Sequence, residues 1–153
     1  MTGIALIIDT TPGLEQAVEK LNALGRNGFM AELLDGVGAL VAGQTQERIA
    51  SEKRAPDGSP WRAWAERTAE RRHGGQSLLL QEGDLLTSIH HVVSGNEVRV
   101  GSNLVYAAIH QFGGRAGRNQ AVEIPARPYL GLSDANRDEV RAAVEDFLAE
   151  VLQ

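Results

Sequence analysis

Thr87-Ser88-Ile89-His90-His91-Val92-Val93-Ser94-Gly95-Asn96-Glu97-Val98-Arg99-Val100 is the stretch that decides the fold. Thr87 to Val93 is rich in β-branched residues, and Glu97 to Val100 alternates with period two. Ser94-Gly95-Asn96 supplies the turn residues between them, which predicts an antiparallel hairpin with a three-residue connection. Thr2 to Ile8 reads as a further strand. Its nearly continuous apolar run predicts burial on both faces or pairing to a partner. Helical spacing surrounds these strands. Leu14, Val18 and Leu21 recur at i, i+4 and i+7, with Pro12 in the first turn and Gly25 as terminator. Phe29 to about Ala50 is a second helical region containing Gly36, Gly38 and Gly43. Each interior glycine costs about 1 kcal/mol relative to alanine, which predicts a break or close helix packing. Tyr106 to Phe112 reads as a short helix and Ala121 to Ile124 as a strand. Ser133 caps a last helix whose stripe is Val140, Val144, Phe147, Leu148 and Val151, with Arg141 and Glu145 set to pair. The predicted class is α+β: an antiparallel hairpin-based sheet with about four helices, the C-terminal one amphipathic and packed on the sheet. Strands and helices do not alternate, so a doubly wound sheet is excluded.

The chain has 153 residues, 42% of them hydrophobic, enough for one core. The expected organisation is a single domain over 1–153, with residues 1–44 as a strand–helix arm on a core of 45–153. With no cysteine, disulfides and thiolate metal sites are excluded. The longest apolar run, Ile4 to Ile8, is too short to span a bilayer, and only Thr2 and Gly3 separate it from Met1. A soluble, unprocessed protein without a membrane role is expected. Charge is segmental. Residues 1–50 hold three basic and six acidic residues, a net of −3. Residues 133–153 hold two and six, a net of −4, while 51–132 hold ten and eight, a net of +2. Complementary middle and ends suit head-to-tail contacts between identical subunits.

Candidate chemistry is sparse. Pro56-Asp57-Gly58 is a β-turn sequence, which accounts for Asp57 without an acid–base role. Ser59 and Pro60 predict a helix start, with Trp61, Trp64, Ala65 and Thr68 on its apolar, core-facing side through about Arg72. His90 and His91 point to opposite faces of a strand, and no His-Glu-x-x-His spacing occurs, so no metal or other cofactor is expected. No serine sits in a G-x-S-x-G elbow. The chain is read as a non-enzyme. Gly113-Gly114-Arg115-Ala116-Gly117-Arg118 lacks the Lys-Ser/Thr ending of a phosphate loop and reads as a flexible loop that orders on binding a partner chain or phosphates. The alternative is a nucleic-acid-binding module contacting DNA through arginines. Glu66 and Glu70 interrupt the basic face of the Trp helix, and the net charge of −5 disfavours a polyanion binder.

Several motifs together resemble the phage virion morphogenesis family, which includes tail completion proteins of Mu-like contractile-tailed phages and prophages. They are Pro56-Asp57-Gly58-Ser59-Pro60-Trp61, Gly83-Asp84-Leu85-Leu86-Thr87-Ser88-Ile89 and Val100-Gly101-Ser102. Tyr106-Ala107-Ala108-Ile109-His110-Gln111-Phe112-Gly113-Gly114 and Ile124-Pro125-Ala126-Arg127-Pro128-Tyr129-Leu130-Gly131-Leu132-Ser133 complete the set and are the most specific. The resemblance covers roughly residues 45–153. It implies a structural component that completes the tail or head–tail junction of a bacteriophage virion. Such a component works in a homo-oligomeric ring, often a hexamer, against other tail or neck proteins. Its place would be the host bacterial cytoplasm during assembly and then the virion. On this reading His110, Gln111, Phe112, Arg115, Arg118 and Arg127 are the candidate partner-binding residues.

Overall fold

The computed structural model describes residues 3–9 and 28–151, together with Glu15, Glu19, Lys20 and Asn22. The helix expected over residues 12–25 lies largely outside the described residues. The architecture is α+β, as the spacing predicts. Strand β1 (Ile4–Asp9) is followed by helix α1 (Phe29–Glu47), which runs on as a π-helical turn, Arg48–Glu52. Then come α2 (Glu66–Ala69), α3 (Asp84–Ser88), β2 (His90–Ser94) and β3 (Glu97–Ser102). Helix α4 (Ala107–Phe112), β4 (Gly114–Ala116), β5 (Val122–Ile124) and α5 (Asp134–Val151) complete the order.

The main sheet has the order β1-β3-β2 and is antiparallel throughout. Ser94 pairs with Glu97, so the hairpin connection is two residues, Gly95-Asn96, rather than the expected three. Gly95 takes φ 59° while Asn96 keeps a negative φ, the pattern of a type II′ turn that matches strand twist. Pairing alternation decides which side chains are buried. Leu6, Val100 and His91 form one cross-strand row on the inner face, and Ile8, Val98 and Val93 form the next. Ile7, Arg99 and Val92 form a row on the outer face and are exposed. β1 is therefore an edge strand with one half-buried face, not a strand buried on both. The apolar run alone could not reveal that.

Helix α1 covers the inner face. Leu33, Leu34, Val37, Val41 and Ala42 turn toward β2 and β3, and its glycines do not break it. Gly38 explains the close packing: a Cβ there would sit 2.5 Å from the His91 ring and 2.7 Å from Val98. Helix α5 packs on α1 and not on the sheet, because α1 already occupies the sheet's inner face. Its apolar stripe is correspondingly only half-buried. Ser133 caps it as expected, its Oγ accepting from the Asn136 N–H at 3.1 Å. Arg141 pairs with Asp138 one turn back rather than with Glu145.

Arg48, 1% exposed, ties these layers together. Its guanidinium donates to the Tyr129 and Gly131 carbonyls, at 2.9 and 3.0 Å, and to the Asn136 side chain. Ile49 beside it is fully buried. The expected helix from Ser59 is largely absent. Ser59 is committed to the turn: its N–H donates to the Asp57 carboxylate at 2.9 Å and its carbonyl accepts from Ala55. The Trp61 backbone N–H donates to the Lys53 carbonyl, and no helix begins until Glu66. The Ser59 hydroxyl and N–H hold the Asp57 carboxyl below the usual carboxylate range, as the turn requires. Among the described residues no helix is long and apolar enough to cross a membrane.

Candidate functional site

Two motif segments fold onto each other and build the site. Gln111, near the end of α4, clasps the later segment with both amide atoms. Its Oε1 accepts from the Tyr129 and Leu130 N–H groups at 2.9 and 3.0 Å, and its Nε2 donates to the Leu130 carbonyl. Tyr129 is fully buried, and its hydroxyl donates to the Ala107 carbonyl at 2.9 Å. Burial pushes that phenol far above its ordinary pKa, so it acts as a permanent donor. The Arg127 N–H donates to the His110 carbonyl at 2.8 Å.

Between these segments the chain leaves the body as an arm. Gly113, at φ 74°, lies so near the Ala126 backbone that a Cβ would come within 2.8 Å of its nitrogen. Glycine alone allows that crossing. Gly114, Arg115 and Ala116 then pair antiparallel with Ile124, Glu123 and Val122. The expected flexible loop is therefore the first strand of a hairpin, and the expected strand after Ala121 is its return. A 3₁₀ turn, Arg118–Gln120, forms the tip, with Arg115 Nε donating to the Gln120 carbonyl at 3.1 Å. The arm's contacts run mainly within itself. Phe112 at its root is 72% exposed, and Val122 on the arm is also exposed.

The six residues picked from sequence fall into two sets. Phe112, Arg115 and Arg118 lie on the surface of the arm or at its root. His110, Gln111 and Arg127 turn inward. Arg127 is only 6% exposed and donates to the Arg62 and Ala63 carbonyls at 2.8 and 3.2 Å. The His110 ring stands edge-on to Tyr106, and its Nδ1 is buried without a partner among the described residues. Burial and the Arg127 charge both lower its pKa.

An open groove of about 920 Å³ runs beside the arm, with Arg62, Trp64, Arg72, Tyr106, His110 and Arg127 among its walls. Trp61 is core, 6% exposed, with its indole N–H on the Pro128 carbonyl at 2.8 Å. Trp64 is not the core residue that its spacing suggests. It is half-buried in the groove wall, with the Arg72 guanidinium 5.0 Å from its ring centre. Sequence reading missed this pair because the two residues stand eight apart across a broken helix. Among the described residues no cluster of three His, Cys, Asp or Glu side chains could hold a metal.

The phage virion morphogenesis family matches residues 9–149. The chain belongs to that family. It is 44% identical over 69 residues to Mu-like prophage FluMu G protein 2 of Haemophilus influenzae, a segment covering 45% of this chain and 50% of that protein. It is 27% identical over 145 residues to the protein of Escherichia phage Mu named "Putative capsid assembly protein G", covering 92% of this chain and 91% of that one. No solved structure matches the chain. The family match begins well before the motifs, at Asp9, and so takes in all of α1.

Proposed function

We propose that this protein is a non-enzymatic assembly component that completes the tail or head–tail junction of a tailed bacteriophage. It works in a homo-oligomeric ring, a hexamer being the favoured count, and contacts other tail or neck proteins. The observation that carries this reading is the arm. A solvent-exposed phenylalanine at the root of a hairpin held mainly by its own contacts, with Val122 exposed on the same arm, suits docking against another chain. Arg115 and Arg118 supply charge beside it, and the fixed crossing at Gly113 sets the arm's direction. His110, Gln111 and Arg127 support the docking face from behind by holding the two motif segments together.

The test uses a prophage or phage carrying this gene. Phe112→Ser combined with Arg115→Glu and Arg118→Glu should leave a folded protein, because none of the three side chains is in the core. The yield of infectious particles should fall at least tenfold, with incomplete tails or unjoined heads visible by electron microscopy. Normal particle yield from the triple variant, confirmed folded by circular dichroism, would overturn the reading.

A further inference from the structure

We propose that the groove between Trp64 and His110 is a carboxylate socket for a second copy of this chain, filled by the acidic C-terminal half of its helix α5. The inference deepens the assembly reading and rests on it. Arg127 forms the floor, nine-tenths buried, with two guanidinium nitrogens spent on backbone carbonyls and no carboxylate partner among the described residues. Arg62 and Arg72 stand close enough that their charges add to burial in lowering its pKa. Three cations converging with no ion-paired carboxylate among the described residues leave an unmet demand for anions in a partly desolvated place. The groove's acidic residues are Glu82, Asp84 and Glu123; the first two act on Tyr106, and none of the three is ion-paired with an arginine among the described residues. Trp64, held under Arg72, gives the groove a flat apolar wall on which a helix's aliphatic or aromatic side chain can lie.

The complementary surface is present on the same chain. Beyond Arg141, α5 carries Glu145, Asp146 and Glu150 and no basic residue, and all three are exposed. None of them is hydrogen-bonded or ion-paired among the described residues. Val144, Phe147, Leu148 and Val151 beside them are only half-buried against α1 and leave apolar surface for a partner. Socket and plug are different patches, so the contact is head-to-tail, the type that propagates around a ring.

Charge reversal tests this with the intact chain, by sedimentation equilibrium over a concentration series in low salt. Arg62→Glu with Arg72→Glu should weaken self-association at least tenfold, and Glu145→Arg with Asp146→Arg should do the same. Mixing the two variants should restore association between them. Wild-type association in the arginine variant, or no rescue on mixing, overturns the socket. Because the chain has no native cysteine, a second measurement avoids the folding cost of charge reversal. Oxidised mixtures of Arg62→Cys and Asp146→Cys proteins should give a hetero-disulfide dimer, and its absence also overturns the proposal. A wild type that never associates sinks the socket, while the assembly reading is judged separately by the particle yield of the arm variant.

Discussion

Trp61 and Trp64 stand three residues apart and should lose unequal stability on truncation. Trp61 fills the core and satisfies its N–H on Pro128, so Trp61→Ala should cost about 3–5 kcal/mol in denaturant unfolding. Trp64 is half-buried and chiefly stacks Arg72, so Trp64→Ala should cost about 1 kcal/mol. Equal losses would mean that Trp64 is also core. His110 makes a pH prediction. Its folded pKa lies below the ordinary value because burial and Arg127 disfavour the charged ring. As pH falls below about 6.5 the unfolded chain takes up this proton first. The stability gained by keeping the ring neutral is therefore complete above that pH and lost on acidification toward the folded pKa. His110→Gln should show a smaller loss of unfolding free energy between about pH 7.5 and 5.5 than the wild type. An identical loss in both proteins would remove His110 from the account.

Helix α1 tests whether glycine position or glycine content matters at the scale of an element. Gly36 and Gly43 face open space, while a Cβ at Gly38 would strike His91 and Val98. Gly36→Ala and Gly43→Ala should each stabilise by about 0.5–1 kcal/mol through helix propensity. Gly38→Ala should instead destabilise by about 1–3 kcal/mol, because the overpacked contact lifts α1 off the sheet. Thermal melts of the three variants decide it, and a common sign for all three would refute this packing. The same helix shows what the sequence can reveal. Periodicity gave α1, the β2–β3 hairpin and the Ser133-capped α5, because each is set by local spacing and a cap. It could not distinguish Gly38 from Gly36, nor show that β1 is an edge, since both depend on partners far along the chain. Ser59 looked like a helix cap because Ser-Pro-Trp fits one, yet the Asp57 turn consumes the same hydroxyl and N–H. Of the candidate site, Arg115 and Arg118 were legible as surface residues of a glycine-rich segment, whereas the helical reading of Tyr106 to Phe112 did not separate the exposed Phe112 from the inward Gln111. The inward roles of Gln111 and Arg127 were not, because their side chains' partners lie 18 or more residues away in the chain.

Charge distribution governs the whole molecule's choice of partner. The chain carries 20 acidic and 15 basic residues, yet Arg62, Arg72 and Arg127 converge on one groove. A DNA-binding module needs cations spread along a track that matches successive phosphates, because each neutralised phosphate adds to affinity through counterion release. Here the floor arginine is buried and bonded to backbone, and Glu82, Asp84 and Glu123 border the same groove. A duplex laid across it would bring phosphates against those carboxylates before reaching Arg127. The groove therefore suits a single inserted carboxylate better than a polyanion. Retention of duplex DNA should be undetectable in a mobility-shift or anisotropy assay at about 50 mM salt, where nonspecific binders hold DNA most tightly. Binding with a steep negative dependence on salt, abolished by Arg62→Glu and Arg72→Glu, would mean that the groove serves phosphates and would restore the nucleic-acid alternative.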